Sequence, residues 1–506
     1  MKARMRLLAA LLALAMLGAC GEANPADLSL GVGQATEHSS PPSEGEFEAR
    51  PAYEPGTLVS YEAQTGDTLL ALAARFNSSV DEIRGANSII PEDASTLPAG
   101  LPMQIPIYYR AFWGSQYLIL PDGHYPNGPY QSEFSAEDFI AGSGGWLENY
   151  AGTAAREVLS GAAMIELVAT NFSVSPRLLL ALVEERAQGI SGLNVELGEY
   201  PLGYAEEFYE GLYLQLVWVA NTLNNGYYGW RGGKLIEFEL LDGSLYRPDP
   251  WQNASSVALQ YLYSKLLPKA DFERAIGADG FARVYTELFG DPWVDPQAHI
   301  PGSLVQPELQ LPFESGEAWT YTGGPHTGWG EGQPWAAIDF APGTETSGCV
   351  QSEEWVTAMA DGLVVRTGEG IVVLDLDRDG DERTGWVLFY LHIEERGRVR
   401  EGTLVRAGQP LGHPSCEGGS STGTHVHIAR KFNGEWMLAS GDLPFVMEGW
   451  EVVEASTEYA GQLVQPGRIV TACRCSDAES RIVSVAEAAE LPTPAEVEAT
   501  SPTVTP

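Results

Sequence analysis

The sequence predicts a multidomain α+β protein: a small βααβ module near the N-terminus, an all-α middle, and a mainly antiparallel β domain in the C-terminal third. Three observations predict it. The chain has 506 residues, 44% of them hydrophobic, too many for one core and enough for three or four units of about 100–200 residues. Between Thr57 and Ile107, two short alternating runs bracket two segments of helical spacing. After about residue 310 the apolar pattern changes from helical spacing to strand alternation punctuated by glycine turns.

The elements follow in order. Lys2, Arg4 and Arg6 precede an apolar run from Leu7 to Leu17, shorter than the ~20 residues of a spanning helix and shaped like a secretory segment. Leu17-Gly18-Ala19-Cys20 resembles the lipobox of bacterial lipoproteins, which implies cleavage after residue 19 and lipidation of Cys20. Residues 1–20 thus read as a lipoprotein signal peptide with its lipobox, cut just before Cys20. Residues 21–56, rich in Gly, Glu, Pro and Ser, read as a disordered tether holding the rest off the membrane. This places the protein in the cell envelope, outside the cytoplasm. With 29 Lys and Arg against 68 Asp and Glu, the net charge of −39 repels nucleic-acid phosphates and anionic membrane surfaces. No nucleic-acid partner is expected.

In residues 57–108, Val59 and Tyr61 alternate as a strand, Gly66 and Asp67 turn, and Thr68 offers a helix cap. Leu69, Leu72, Ala73 and Phe76 then recur at helical spacing, a second helix follows near residues 80–86, and a strand near 103–107 closes the unit. The unit resembles the lysin motif (LysM), with Gly66-Asp67-Thr68-Leu69 matching that family's G-D-T-L. The resemblance implies binding of N-acetylglucosamine-containing glycans such as peptidoglycan, through the loops before the first helix and after the second.

Residues 109–310 carry helical pattern, with Leu178, Leu179, Ala181 and Leu182 in one apolar helix and Leu212, Leu214, Val217 and Leu223 around another. The run from Val174 to Glu184 resembles the helix bearing the catalytic glutamate of lysozyme-like transglycosylases. Here Arg186-Ala187 stands where that glutamate and its serine belong, and Glu184 and Glu185 are out of register. A glycosidase needs its acid in one fixed place, so the domain reads as a degenerate lysozyme-like scaffold or glycan-docking unit.

The C-terminal third, residues 311–455, holds five of the eight histidines: His326, His392, His413, His425 and His427. On a strand, His425 and His427 point to one side. Asp339 interrupts an apolar run, which is costly inside a protein unless a cation or hydrogen bonds compensate. A catalytic zinc takes three protein ligands and keeps a position open, and imidazoles with a carboxylate suit it.

These motifs resemble the lysostaphin and staphylolysin group of zinc endopeptidases that cut peptidoglycan peptides. Most members carry the first zinc histidine four residues before the aspartate, a place held here by Trp335; the staphylolysin or β-lytic branch has a longer loop, as between His326 and Asp339. The runs 358–365, 389–392 and 402–412 follow in the family's order. The resemblance implies that His326, Asp339 and His427 bind Zn2+, and that His392 and His425 handle protons and transition-state charge.

His413 has no matching role and reads as a loop residue. Asp375, Asp377 and Asp379 have the spacing of a calcium loop, although Trp386 stands at its twelfth position, where glutamate is expected. A solvated hairpin turn fits them equally. Cys349 and Cys416 share a domain and can pair, leaving Cys473 and Cys475 to bond each other or stay as a close pair. Residues 456–485 read as an extension packed on this domain and 486–506 as a disordered tail. The whole reads as a lipid-tethered peptidoglycan endopeptidase, the alternative being a non-catalytic wall-binding regulator of another hydrolase.

Overall fold

The computed structural model describes residues 50–108, 114–192, 197–343, 348–475 and 477–486. Cys20 with the signal segment, the tether up to residue 49 and the tail from residue 487 lie outside the described residues. No described helix is long and apolar enough to cross a membrane.

The first unit is β1 (Thr57–Glu62), α1 (Leu69–Phe76), α2 (Val80–Ala86) and β2 (Pro102–Ile107). β1 and β2 pair antiparallel, with Thr57 opposite Ile107. Each helix starts for a local reason. Thr68 Oγ1 accepts the Ala71 N–H, and Ser79 and Glu82 form a reciprocal capping box. Tyr61, Leu72, Phe76, Ile83 and Ile105 fill the small core between helices and strands.

The middle is helical but not all-α. Its helices are α3 (Ala136–Ile140), α4 (Trp146–Asn149), α5 (Gly161–Phe172), α6 (Pro176–Ala187), α7 (Leu212–Arg231), α8 (Ala254–Leu266), α9 (Lys269–Ala275) and α10 (Phe281–Phe289). Two hairpins interrupt them, β3 (Ala151–Ala154) with β4 (Glu157–Ser160), and β5 (Phe238–Glu239) with β6 (Leu245–Tyr246). The first turns through Ala155 and Arg156 at φ 48° and 71°. Such two-residue turns favour Asn-Gly or Asp-Gly, and Ala-Arg gave no sign of one. α6 begins where Ser175 caps it and Pro176 takes its first turn. Past its end, the Glu184 carboxylate accepts the N–H groups of Ile190 and Ser191. Glu184 therefore closes a loop.

The C-terminal domain is built on β7 (Ala318–Thr327), β8 (Trp335–Pro342), β9 (Val356–Thr357), β10 (Gly362–Gly368), β11 (Ile371–Asp375), β12 (Trp386–Leu391), β13 (Leu404–Val405), β14 (Pro410–Gly412), β15 (Val426–Phe432) and β16 (Glu435–Met437). After them come β17 (Val446–Met447), β18 (Trp450–Glu454), β19 (Gly461–Gln465), β20 (Arg468–Thr471) and β21 (Arg481–Val483). The main sheet runs β13-β10-β11-β12-β15-β8-β7-β21, with β16 paired to β15; every one of these pairs is antiparallel. β17 to β20 form a separate four-stranded meander. The boundary expected at residue 455 thus falls inside this meander, and β21 closes the edge of the main sheet: the extension is part of the domain.

The two faces of the main sheet do different things. Ile338, Phe340, Leu388, Tyr390, Val426 and Ile428 point into the domain's own core. Ala337, Phe389 and Ala429, on the opposite face, join Trp436 in a core shared with the helical middle. Trp436 Nε1–H donates to the Phe172 carbonyl of α5 at 3.2 Å, so the helices wall one end of this second face.

A buried ionic knot ties the units together. Glu435 of β16 accepts from Arg231 Nε at 3.0 Å, Tyr227 Oη at 2.8 Å and His299 Nε2 at 2.6 Å. Arg231 also meets Asp122 at 3.3 Å and the carbonyl of Thr65, in the loop before α1. One guanidinium therefore bridges all three units. Replacing Glu435 by alanine is expected to destabilise the chain by about 3 kcal/mol, toward the low end for a broken buried pair because Asp122 and the Thr65 carbonyl remain on Arg231. The urea midpoint of unfolding reads this, and an unchanged midpoint would show that the knot contributes nothing.

The knot also has a pH signature. Burial alone raises the carboxyl of Glu435, but Arg231, helped by His299, outweighs it and holds the group at about 2, against 4.5 unperturbed. A depressed carboxyl stabilises above its unfolded value and loses that contribution as pH falls through the folded one. The midpoint of the wild type is therefore expected to fall between pH 4.5 and about 2 more steeply than that of Glu435→Gln. Parallel curves would contradict it.

Candidate metal centre

The site forms on the second face of the sheet, where β7, β8 and β15 lie side by side. His427 of β15 stands directly opposite Asp339 of β8, so both side chains leave the same face. His326 of β7 stands opposite Ala337, two residues from Asp339 and hence on that face too. Register shifts between Gly323 and His326 supply the extra residue that makes this alignment. Gly323 faces Asp339 itself, and a Cβ there would lie 2.4 Å from Asp339 Oδ2. Only glycine lets the carboxylate stand where it does.

Three ligand atoms converge. His326 Nε2 lies 2.9 Å from His427 Nδ1, and Asp339 Oδ1 lies 3.2 and 3.3 Å from those two nitrogens. The other nitrogen of each ring is spent on a backbone carbonyl: His326 Nδ1–H donates to Gly324 at 2.9 Å and His427 Nε2–H to Gly328 at 3.2 Å. The facing nitrogens are therefore lone pairs. Asp339 Oδ1 is correspondingly buried without an aligned hydrogen bond. Three acceptors at this separation repel one another unless a cation lies among them. Ligands ~2.1 Å from a tetrahedral zinc stand about 3.4 Å apart, so the cluster fits that ion with little adjustment. The carbonyls fix the tautomers as outer partners of metal-bound imidazoles do.

Asp339 is the carboxylate of the trio. The two further histidines stand beside it. His425, just ahead of β15, directs Nε2 toward Asp339 Oδ1 at 3.7 Å and donates Nδ1–H to the Gly423 carbonyl at 2.7 Å. The His392 ring is 4.5 Å from that of His425, and its Nδ1–H donates to the Glu417 carbonyl at 2.7 Å. Burial, then His425 and His427, lower His392 to about 4, so it is neutral at pH 7. Its backbone sits at φ 68°, a strained conformation for histidine that surrounding structure must impose; Ser415 N–H and Oγ–H both hold its carbonyl. The disulfide Cys349–Cys416 adjoins Glu417 and so anchors the carbonyl that orients His392.

All five predicted residues line one cleft of about 870 Å³. Sequence reading missed part of its wall. Tyr459 stacks on His326 at 4.1 Å, and Arg474 covers Tyr459 from the turn closed by the Cys473–Cys475 disulfide. Both come from the extension, where no spacing or periodicity marks them.

Other expected sites are put to different uses. Asp67 is buried, paired with Arg75 at 2.8 Å and accepting from Tyr61 Oη and the Gln64 N–H. Gly66 packs on Arg231, Thr68 caps α1, and Leu69 is buried. In the loop after α2, Thr96 Oγ1 donates to the Pro301 carbonyl and its own carbonyl accepts the Ser303 N–H, while Ser88, Ile89, Pro91, Glu92 and Asp93 stay exposed. Thr65 and Thr96 thus tie the module to residues 300–304, and Gly66, Asp67 and Leu69 are buried within it. Asp375 accepts three N–H groups of its own turn, from Asp377, Arg378 and Gly380. Asp379 receives Asp381 N–H and Thr384 Oγ–H. Although Asp375, Asp377 and Asp379 lie close together, the first and third are spent as turn acceptors, as a hairpin requires. Glu184 and Glu185 lie outside the cleft. His413 stacks on Trp355 and donates to the Glu354 carbonyl, a packed loop residue.

An open His-Asp-His site on an antiparallel sheet, flanked by two more histidines, is a centre suited to one divalent metal ion. Residues 334–438 match the family model "Peptidase family M23", residues 61–106 "LysM domain" and residues 119–302 "LasA, N-terminal domain". The chain thus carries an M23-matching segment behind a LysM-matching one; His326 precedes the matched M23 span. It is 24% identical over 290 residues to "Protease LasA" of Pseudomonas aeruginosa, covering 53% of this chain and 66% of that protein. It is 28% identical over 153 residues to "Beta-lytic metalloendopeptidase" of Lysobacter enzymogenes, covering 30% of this chain and 82% of that one. The chain therefore spans just under two thirds of the LasA relative. Among solved structures it is similar to "A Novel M23 Metalloprotease Pseudoalterin from Deep-sea", with a TM-score of 0.29 and 24% identity over 33% of this chain and 96% of that chain.

Proposed function

We propose that the chain is a zinc-dependent endopeptidase that hydrolyses peptide bonds in peptidoglycan crosslinks or stem peptides, outside the cytoplasm. One observation carries the reading: His326 Nε2, Asp339 Oδ1 and His427 Nδ1 converge as lone-pair donors within 3.3 Å of one another in an open cleft. Two imidazoles and a carboxylate suit zinc and leave a position free. When bound, the ion supplies Lewis acidity and a nucleophile at neutral pH.

The chain's own groups do the rest. His425 and His392 each commit Nδ1–H to a carbonyl and present Nε2 to the cleft. A neutral imidazole so held accepts a proton at Nε2 and returns it to the departing amine, general acid–base work that suits histidine. The LysM domain supports peptidoglycan as the substrate, and the leader with Cys20 supports export and lipid anchoring at the membrane.

Digestion of purified peptidoglycan with and without a zinc chelator, followed by mass analysis of the fragments, tests the reading. Fragments with new amino termini at one type of peptide bond are expected, lost in chelator and restored by zinc. Hydrolysis that persists in chelator, or the release of glycan reducing ends alone, would contradict it.

A further inference from the structure

An aromatic shelf stands beside the cleft. The link is α7. Its Asn221 Oδ1 accepts the Glu331 N–H at 2.7 Å and its Asn225 Oδ1 accepts the Gln333 N–H at 2.8 Å, so one helix face holds the β7–β8 turn against the cleft that Glu331 lines. Trp218 lies one turn earlier on that same face. Tyr204 stacks on Trp218 with centroids 3.9 Å apart and planes 9° off parallel. Tyr209 follows at 5.4 Å and Phe208 at 5.0 Å from Tyr209. Phe208 is 72% exposed, with Tyr209, Tyr204 and Trp218 half-buried behind it, and a contiguous run of rings that reaches solvent marks a binding surface where scattered single ones do not.

The shelf is held rigid. Gln215, fully buried, donates to the carbonyls of Tyr204 and Tyr209 and accepts the N–H groups of Leu202 and Tyr204. Around the rings stand the exposed carboxylates Glu199, Glu206, Glu207 and Glu210, against one neighbouring guanidinium, Arg186, which lies by Gly203 and faces Glu185 at 4.0 Å. That charge turns away phosphate and anionic lipid. It suits a neutral ligand rich in hydroxyl and amide donors, whose apolar ring faces lie on aromatic side chains while carboxylates accept its O–H and N–H groups.

We infer that the Phe208–Tyr209–Tyr204–Trp218 shelf binds a neutral N-acetylhexosamine glycan strand and leads the peptide attached to it into the cleft. The inference rests on the peptidoglycan reading above and assigns a glycan contact to the helical middle, beside that of the LysM domain.

Full-length wild type, Phe208→Ala, Phe208→Leu and Phe208→Ala/Tyr209→Ala are titrated by calorimetry with peptide-free N-acetylhexosamine oligosaccharides and with a lysine-rich peptide. The same proteins are assayed for hydrolysis of a soluble, glycan-free crosslink peptide. Loss of an open ring is expected to weaken oligosaccharide binding about tenfold, in Phe208→Leu as in Phe208→Ala, with glycan-free hydrolysis unchanged. Undiminished oligosaccharide affinity in the double variant would overturn the inference, as would a wild type that binds the lysine-rich peptide and not the sugar. If wild type leaves the glycan-free peptide intact, the peptidase reading falls, while the oligosaccharide titration still decides the shelf.

Discussion

Replacing Asp339 by asparagine is expected to empty the metal centre and abolish hydrolysis. The substitution keeps the shape beside Gly323, where space is tight, but removes the one anionic donor among three converging ligand atoms. Removing outer partners of metal ligands typically costs 10–100-fold in affinity, and losing a ligand costs more, so zinc content is expected to drop from about one per chain to a small fraction. Metal analysis after dialysis, run beside the peptide assay, checks this. An Asp339→Asn protein that retains full zinc and full activity would mean that the ion is held elsewhere.

His392 and His425 are expected to behave in the opposite sense. Neither belongs to the converging trio, and both present Nε2 to the cleft with Nδ1 fixed on a carbonyl. Alanine at either position is expected to lower hydrolysis about 10²–10⁴-fold, the range of a lost acid–base group, with zinc retained. The split between metal content and turnover is the informative reading. Loss of metal in both variants would refute the assigned roles, and full turnover in either would remove that residue from the mechanism.

The site was legible in the sequence because its geometry is local to strands. Alternation alone puts His425 and His427 on one side, and Asp339 betrays itself as a charge in an apolar run. What the sequence concealed depends on long-range packing. No pattern in Gly323-Gly324-Pro325 tells that a register shift there swings His326 into line with Asp339. Tyr459 and Arg474 reach the cleft only because the meander returns past β7, which the division at residue 455 concealed. The G-D-T-L match was sound as a fold signal: Asp67 serves Tyr61, Gln64 and Arg75 inside the unit. Thr65 and Thr96 are bound to the backbone of residues 300 to 304, some two hundred residues away. The hairpin at Ala155-Arg156 was hidden for a simpler reason: neither residue type favours the positive φ it adopts.

The central claim is that two imidazoles and one carboxylate from three adjacent strands hold a single ion. Anomalous diffraction from crystals of the zinc-loaded protein, recorded on both sides of the zinc absorption edge, tests it most directly. The account predicts one strong peak within bonding distance of His326 Nε2, Asp339 Oδ1 and His427 Nδ1, with His392 and His425 nearby but unbound. A peak on any other set of side chains, or none among these three, would contradict it.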